Sequence, residues 1–123
     1  MPDLQPRRIQ QIQFGEISLD FATMELSRSG HPVEITLREF RVLKFFVSRP
    51  HVVISRQKLI SSAWPKRQRS SYRTVDNCIA KLRRKIESDP DCPVFLQTVH
   101  GVGYKFVPED SRPLAQSLSD LKV

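Results

Sequence analysis

Between Gln11 and Ile35, apolar and polar residues alternate over short stretches, and turn-forming residues recur every few positions. Alternation of this kind is typical of strands that bury one face, and Ser29-Gly30 favours a tight turn between two of them. The pattern predicts three or four short antiparallel strands. Their apolar residues are Phe14, Ile17, Leu19, Phe21, Met24, Leu26, Val33 and Ile35.

At Thr36 the spacing of apolar residues changes to that of a helix. Thr36 and Glu39 have the spacing of a capping box, in which each side chain bonds the other residue's backbone amide. A first helix is therefore predicted from this point, and Pro50 ends it. Its apolar residues are Leu37, Phe40, Leu43, Phe46 and Val47, with Val42 at the flank.

Two further helices are predicted before residue 88. Ser55 is a suitable N-cap for the second, which Pro65 ends, and a basic loop follows over residues 65–71. The apolar face of the second helix comprises Leu59, Ile60, Ala63 and Trp64. The third helix is predicted from Arg73 to Glu87. Its apolar stripe is Val75, Ile79, Leu82 and Ile86; its opposite face is Arg73, Asn77, Ala80, Lys81 and Arg84, flanked by Arg83 and Lys85.

The last predicted element is a β-hairpin over residues 96–107, with Gly101 and Gly103 at its tip. Residues 11–107 therefore form one predicted domain, which is large enough to fold without disulfides. Residues 1–10 are expected to be a linker or disordered terminus, and residues 108–123 a polar tail or linker. The order of elements predicts an α+β fold, a winged helix-turn-helix.

The distribution of positive charge along the chain indicates what kind of partner such a fold would bind. The formal net charge is +7, and residues 66–85 hold eight basic side chains against the single acidic Asp76. A polyanion relieves the self-repulsion of such a cluster, although a solvated basic face is the alternative interpretation. In a helix-turn-helix the second helix of the pair enters the major groove. We therefore expect helix 73–87 to read duplex DNA, with Asn77, Lys81 and Arg84 at base edges and Arg73 and Arg83 at phosphates.

Other function classes find little support. No apolar run has the length of a membrane span, the N-terminus lacks a secretory signal, and a cytoplasmic protein is expected. The two cysteines and three histidines show no metal-ligand spacing, so neither a metal nor another cofactor is expected. No nucleophile–base pair or phosphate loop is apparent, and the chain is predicted not to be an enzyme.

Four segments resemble a known family: Ile35–Leu43, Val53–Ile60, Arg73–Ile86 and Gln97–Phe106. In this order and spacing they are similar to the OmpR/PhoB-type winged-helix DNA-binding domain of bacterial response regulators. The resemblance implies a four-stranded antiparallel N-terminal sheet, three helices and a C-terminal hairpin wing near the minor groove. It also implies tandem binding to direct repeats as a homodimer.

The resemblance, together with the helix pattern, assigns candidate residues. Those expected at DNA are Arg73, Thr74, Asn77, Cys78, Ala80, Lys81, Arg83, Arg84, Thr98, His100, Gly101 and Tyr104. The loop with Lys66, Arg67, Gln68 and Arg69 matches a segment that in this family can contact RNA polymerase. His100 stands where the family usually has arginine, which predicts weaker and pH-sensitive insertion into the minor groove. Ala80 stands where a basic residue is frequent.

Several alternatives stay open from the sequence. Cys78 is either a small helix residue or, beside basic groups, a thiol of lowered pKa that senses oxidants. Trp64 is either core or a stacking platform, and Tyr104 is either core or a phosphate donor. The basic surface could instead dock an acidic protein. No phospho-accepting receiver domain is recognised in this sequence, since such a domain needs on the order of 100 further residues. The chain is thus either an excised output domain or switched by another module.

Overall fold

The computed structural model describes residues 11–66 and 70–109, and these contain seven strands and three helices. A four-stranded N-terminal sheet is followed by three helices and a three-stranded second sheet, one strand of which lies in the chain between the first two helices. In chain order the elements are β1 Gln11–Phe14, β2 Ile17–Asp20, β3 Glu25–Arg28, β4 His31–Val33, α1 Leu37–Val47, β5 Val53–Ser55, α2 Arg56–Ala63, α3 Tyr72–Ile86, β6 Leu96–Val99 and β7 Gly103–Phe106.

The first sheet is an antiparallel meander in the order β1-β2-β3-β4. Its register pairs Leu19 with Leu26 across the two central strands, and both side chains are fully or almost fully buried. The second sheet has the order β5-β7-β6, and its β6–β7 hairpin is the predicted wing. These features confirm the predicted α+β winged helix-turn-helix with its four-stranded sheet.

The short strand β5 was not predicted. It contains three residues, so no alternation is long enough to reveal it, and its last residue, Ser55, is also the N-cap of α2. Ser55 Oγ accepts a hydrogen bond from the Lys58 amide at 3.0 Å, which confirms the predicted cap. The chain therefore passes from strand to helix with no intervening loop, and α2 is joined directly to the wing sheet.

The capping box that starts α1 is present. The Glu39 amide donates to Thr36 Oγ1 at 3.1 Å, and the Thr36 amide donates to Glu39 Oε1 at 3.0 Å. The predicted apolar face is wrong at its edge: Leu37 is 50% exposed, whereas Val42 is fully buried. At about 100° per residue, Leu37 falls outside the arc of the helix that Val42 and Phe46 share.

The third helix agrees with its predicted bounds to within one residue at each end, and Ser71 is its N-cap. The predicted apolar stripe of Val75, Ile79, Leu82 and Ile86 is buried, which confirms it. These side chains join a core built from both sheets and all three helices. The Phe14 ring of the first sheet contacts Phe95 and Phe106 edge-on, at centroid distances of 5.0 and 4.9 Å, so the first sheet and the wing share one core.

Candidate nucleic-acid interface

The side of α3 that faces away from the core is open to solvent. The side chains predicted to read bases, Asn77, Lys81 and Arg84, are exposed, as are Arg73 and Ala80. Because the buried stripe holds the other side of the helix against the core, these groups project from a fixed support. Cations and an amide at this spacing match the hydrogen-bonding groups that a major groove presents.

The N-terminus of α3 is capped by side chains near the candidate surface. Ser71 Oγ accepts a hydrogen bond from the Thr74 amide at 3.3 Å and lies 3.2 Å from Thr74 Oγ1. Thr74 is exposed, as a phosphate contact would require. Lys66 is also exposed, whereas Arg67, Gln68 and Arg69 of the predicted polymerase-contact loop lie outside the described residues, as do residues 1–10 and 110–123.

Arg83 differs from its predicted phosphate role because it points into the fold. Its guanidinium donates two hydrogen bonds to the Leu96 carbonyl, at 3.0 and 2.7 Å, and one to Thr98 Oγ1 at 2.8 Å. Burial lowers the pKa of Arg83 from its ordinary value. The side chain therefore joins α3 to β6 of the wing, and its hydrogen bonds are directed to the protein itself.

Tyr104 is a core residue whose hydroxyl is already hydrogen-bonded within the protein. It is 5% exposed, and its hydroxyl donates to Asp76 Oδ1 at 2.5 Å. Burial raises the pKa of the phenol, and the hydrogen bond to Asp76 raises it further. Of the two interpretations of Tyr104, the structure supports core packing, because a hydroxyl held by a carboxylate is not free to donate to phosphate.

Cys78 was expected on the DNA side, but it is 7% exposed and joins the core cluster. Burial is the largest cause that raises the pKa of its thiol to about 11, and the Glu39 carboxylate also raises it. Of the two interpretations of Cys78, the structure therefore supports the small helix residue and contradicts the thiol of lowered pKa. The nearby cations Lys81 and Lys85 act to lower the pKa, but burial outweighs them. The thiol stays protonated at neutral pH and is poorly placed to contact DNA.

The wing is exposed at Thr98 in β6 and at His100 and Gly101 in its turn. Gly101 has a φ of +78°, a conformation that residues with a Cβ rarely adopt, which allows the tight turn between β6 and β7. Gly103 has a different requirement, because a Cβ there would lie 2.1 Å from the Ile54 carbonyl oxygen. The wing therefore depends on one glycine for its turn and on another for the close approach of β5 and β7.

A shallow groove of about 250 Å³ lies beside the exposed face of α3, and Trp64 forms part of its wall. Trp64 is 6% exposed, which confirms the core interpretation of this residue, and the Arg38 guanidinium lies 4.7 Å from the ring centroid. Asn77 and Lys81 line the same groove. The predicted reading face thus continues onto the start of α1 and the end of α2, which the sequence did not indicate.

The sequence analysis missed two interactions that support the site, one between Arg56 and Asp76 and one made by Glu87. Arg56 Nε donates to Asp76 Oδ1 at 2.9 Å, and this hydrogen bond raises the pKa of Arg56. Glu87 is buried and accepts hydrogen bonds from the backbone before and within β6. The one hint of these interactions in the sequence was Asp76, the single acidic residue among the basic residues 66–85.

Among residues 11–66 and 70–109, no cluster of histidine, cysteine or acidic side chains is suited to hold a metal ion. The helices of this described part are all too short or too polar to cross a bilayer.

Three helices with two antiparallel sheets, and an exposed basic third helix beside a hairpin wing, define a winged helix-turn-helix domain. The model of the family described as "Transcriptional regulatory protein, C terminal" matches residues 30–106. The chain belongs to this family. The similarity to the OmpR/PhoB type, expected from four sequence segments, is confirmed.

Relatives and solved structures agree with this assignment. Transcriptional regulatory protein AfsQ1 of Streptomyces coelicolor is 35% identical over 95 residues, which are 77% of this chain and 42% of that protein. Response regulator DrrB of Thermotoga maritima, an OmpR/PhoB homolog, matches with a TM-score of 0.74 and 31% identity over 80% of this chain and 44% of DrrB. The chain thus spans about two-fifths of the length of these relatives.

A further structure similar to this chain contains DNA. The DNA-binding domain of response regulator AdeR, crystallised in complex with an intercistronic region, matches with a TM-score of 0.66 and 28% identity. The match covers 78% of this chain and 98% of the AdeR domain. The likeness therefore extends over nearly the whole of an isolated DNA-binding domain.

Proposed function

We propose that this chain binds duplex DNA sequence-specifically as the output domain of a transcriptional regulator. In this proposal α3 lies in the major groove and the wing, residues 96–107, lies at the adjacent minor groove. The observation that carries the proposal is the exposure of Asn77, Lys81 and Arg84 on one side of a helix whose other side is buried in the core. The AdeR complex with an intercistronic region supports it by analogy.

Affinity and specificity come from different residues. Arg73 and Thr74 at the start of α3 are proposed to bind phosphates, where a cation releases condensed counterions regardless of sequence. Lys81 and Arg84 have side chains that pair with guanine O6 and N7, and Asn77 has the side chain that pairs with adenine. Thr98, His100 and Gly101 are exposed on the wing and are proposed to contact the backbone and the minor groove.

The resemblance supports further proposals about the whole regulator. We propose that the domain works in the cytoplasm, that two copies bind tandem direct repeats, and that the loop containing Lys66 contacts RNA polymerase. The folded DNA-binding unit is proposed to be residues 11–107, which contains the family match over residues 30–106. The longer relatives support the presence of a separate regulatory module in proteins of this kind.

The decisive experiment is selection of bound sequences from a random DNA pool, followed by a gel-shift competition. We expect a recurring motif whose complex survives an excess of mixed-sequence DNA. A surface that docks an acidic protein would instead bind DNA without base preference, and the complex would disappear under the same competition. That second result would overturn the proposal.

A further inference from the structure

Besides the Glu87 carboxylate at its C-terminal end, which accepts from the Leu96 amide of β6, two side-chain links from within α3 join this helix to the wing sheet. In the first, the Tyr104 hydroxyl of β7 donates a hydrogen bond to Asp76 Oδ1 at 2.5 Å. In the second, Arg83 donates to the Leu96 carbonyl and to Thr98 Oγ1 of β6. Asp76 and Arg83 are two helical turns apart and therefore lie on the same side of α3. These two links and Glu87 attach the helix to the sheet at three points, which opposes both translation and rotation of the helix relative to the sheet.

Tyr104 connects these two links to each other. Its ring lies beneath the Arg83 guanidinium at 5.5 Å, while its hydroxyl bonds Asp76. A cation over an aromatic ring is attracted to the face of the ring, so Tyr104 contacts both anchoring residues. The Asp76 oxygen that accepts from Tyr104 also accepts from Arg56 of α2, which ties the whole assembly to the second helix.

The charge of Asp76 is otherwise unfavourable on this surface. It is the only acidic residue among residues 66–85, and its side chain is 40% exposed. A carboxylate near DNA phosphates weakens electrostatic attraction. Its hydrogen bonds to Tyr104 and Arg56 give a geometric reason for its presence, because a neutral or basic residue there would accept fewer bonds or none.

We propose that Asp76, Tyr104 and Arg83 are positioning residues that fix the separation between α3 and the wing, so that the domain reads the spacing between its two contact regions on DNA. This inference rests on the proposed function. The exposed wing residue His100 lies two residues after Thr98, which Arg83 holds directly. Successive base pairs are separated by about 3.4 Å. If the two contact regions on DNA move apart by one base-pair step, a rigidly attached wing and helix cannot both stay bound, and either the wing or the helix loses its contact.

The test uses the full chain and the DNA motif obtained by selection. Three duplexes are compared: the selected site, the site with one base pair inserted between the regions protected by α3 and by the wing, and the site with one base pair deleted there. For the unaltered chain we expect each change to weaken binding about tenfold, as a mismatched base pair does. Loss of wing protection in a footprint would accompany the weaker binding.

Two variants break the links without changing charge. Tyr104→Phe removes one hydroxyl and keeps the ring, and Arg83→Lys keeps the cation but lacks the fork that spans Leu96 and Thr98. We expect the spacing preference of each to fall to about threefold or less, because the wing can shift relative to the helix. Tyr72→Phe is the matched control: Tyr72 is half-exposed on the same helix, and its substitution should leave the tenfold preference intact.

The outcomes separate this inference from the proposed function. If the unaltered chain selects no motif, the proposed function fails. If it selects a motif but tolerates the insertion and deletion, or if both folded variants retain the full spacing preference, the positioning role is wrong. Circular dichroism of each variant establishes that it is folded. Tyr104→Phe and Arg83→Lys act on different links, so if one variant does not fold, the spacing preference of the other still tests the positioning role.

Discussion

The Glu87 carboxylate lies against the first residue of β6, and its Oε2 accepts a hydrogen bond from the Leu96 amide at 2.8 Å. The same side chain accepts from the amides of Val94 and Phe95, and it is 1% exposed. A carboxylate removed from water is costly unless hydrogen bonds replace its hydration, and three successive backbone amides do so here. The end of the recognition helix is thereby joined to the start of the wing.

Replacing this carboxylate with an amide tests its contribution to stability. In Glu87→Gln one oxygen becomes an NH₂ group that faces backbone donors, so at least one buried amide loses its acceptor. We expect the free energy of unfolding to fall by about 1–3 kcal/mol. Urea denaturation followed by circular dichroism measures it. The exposed Glu34→Gln is the control and should change stability by less than about 0.5 kcal/mol; equal effects would contradict the role of Glu87.

Acid should destabilise the domain partly through Glu39. Burial acts to raise the pKa of this carboxyl, but hydrogen bonds from Lys85 and the Thr36 amide outweigh burial, and its pKa lies below the ordinary value. The unfolded chain, with a glutamate pKa of about 4.3, therefore binds the proton more tightly. The stabilisation from Glu39 is present above that pH and is lost as the pH falls through the lowered folded-state pKa.

This pH dependence is checked by urea denaturation between neutral and acid pH. Glu39→Gln should flatten the loss of stability below about pH 4.3, since it removes the titrating group. Lys85→Gln removes the partner and leaves burial less opposed, so the pKa of folded Glu39 should rise toward its unfolded-state value and the acid loss of stability that comes from Glu39 should shrink. If the free energy of unfolding of both variants depends on pH just as that of the unaltered chain does, Glu39 does not contribute to the acid loss of stability.

DNA binding should respond differently to substitutions at the start and middle of α3. Lys81→Ala is expected to lower affinity for the selected site by about 1–3 kcal/mol and to relax base preference at one position. Arg73→Ala should weaken binding to all sequences alike and reduce the slope of log affinity against log salt by about one. Gel shifts at several salt concentrations measure both effects. If Lys81→Ala and Arg84→Ala each leave base preference unchanged, the reading face is wrongly assigned.

The two thiols should react at very different rates. Cys92 is exposed, whereas Cys78 is buried and its burial raises the pKa of the thiol to about 11, so very little of the reactive thiolate forms at pH 8. Iodoacetamide is therefore expected to alkylate Cys92 alone in the folded chain, and Cys92→Ser should remain unmodified until denaturant is added. Mass spectrometry after digestion identifies the site. Rapid labelling of native Cys78 would restore the redox interpretation.

The sequence predicted an element correctly where a single short-range pattern, such as a capping box or an apolar stripe, was enough to define it. The Thr36–Glu39 box and the Val75–Ile86 stripe are short-range patterns, and both are present. Leu37 was misassigned because an apolar side chain in the first turn follows the helical spacing without facing the core. Strand β5 escaped prediction because its pairing partner, β7, lies about fifty residues later in the chain.

The site was predictable in its exposed part only. Helical periodicity places Asn77, Lys81 and Arg84 on the outer side of α3 because any residue opposite the apolar stripe must lie there. Periodicity gives no information about a partner from another element, and so it misplaced Arg83, which bonds Leu96 across the fold. Cys78 sits at the edge of the stripe, where burial depends on how closely α1 approaches.

Trp64 is the chain's single tryptophan, and it lines the groove that also contains Asn77 and Lys81. Its indole is therefore an intrinsic fluorophore next to the surface that a duplex would cover. If a duplex covers that groove as proposed, water beside the indole is displaced and the emission of Trp64 should change. A fluorescence titration of the chain with DNA would then follow binding without an attached dye.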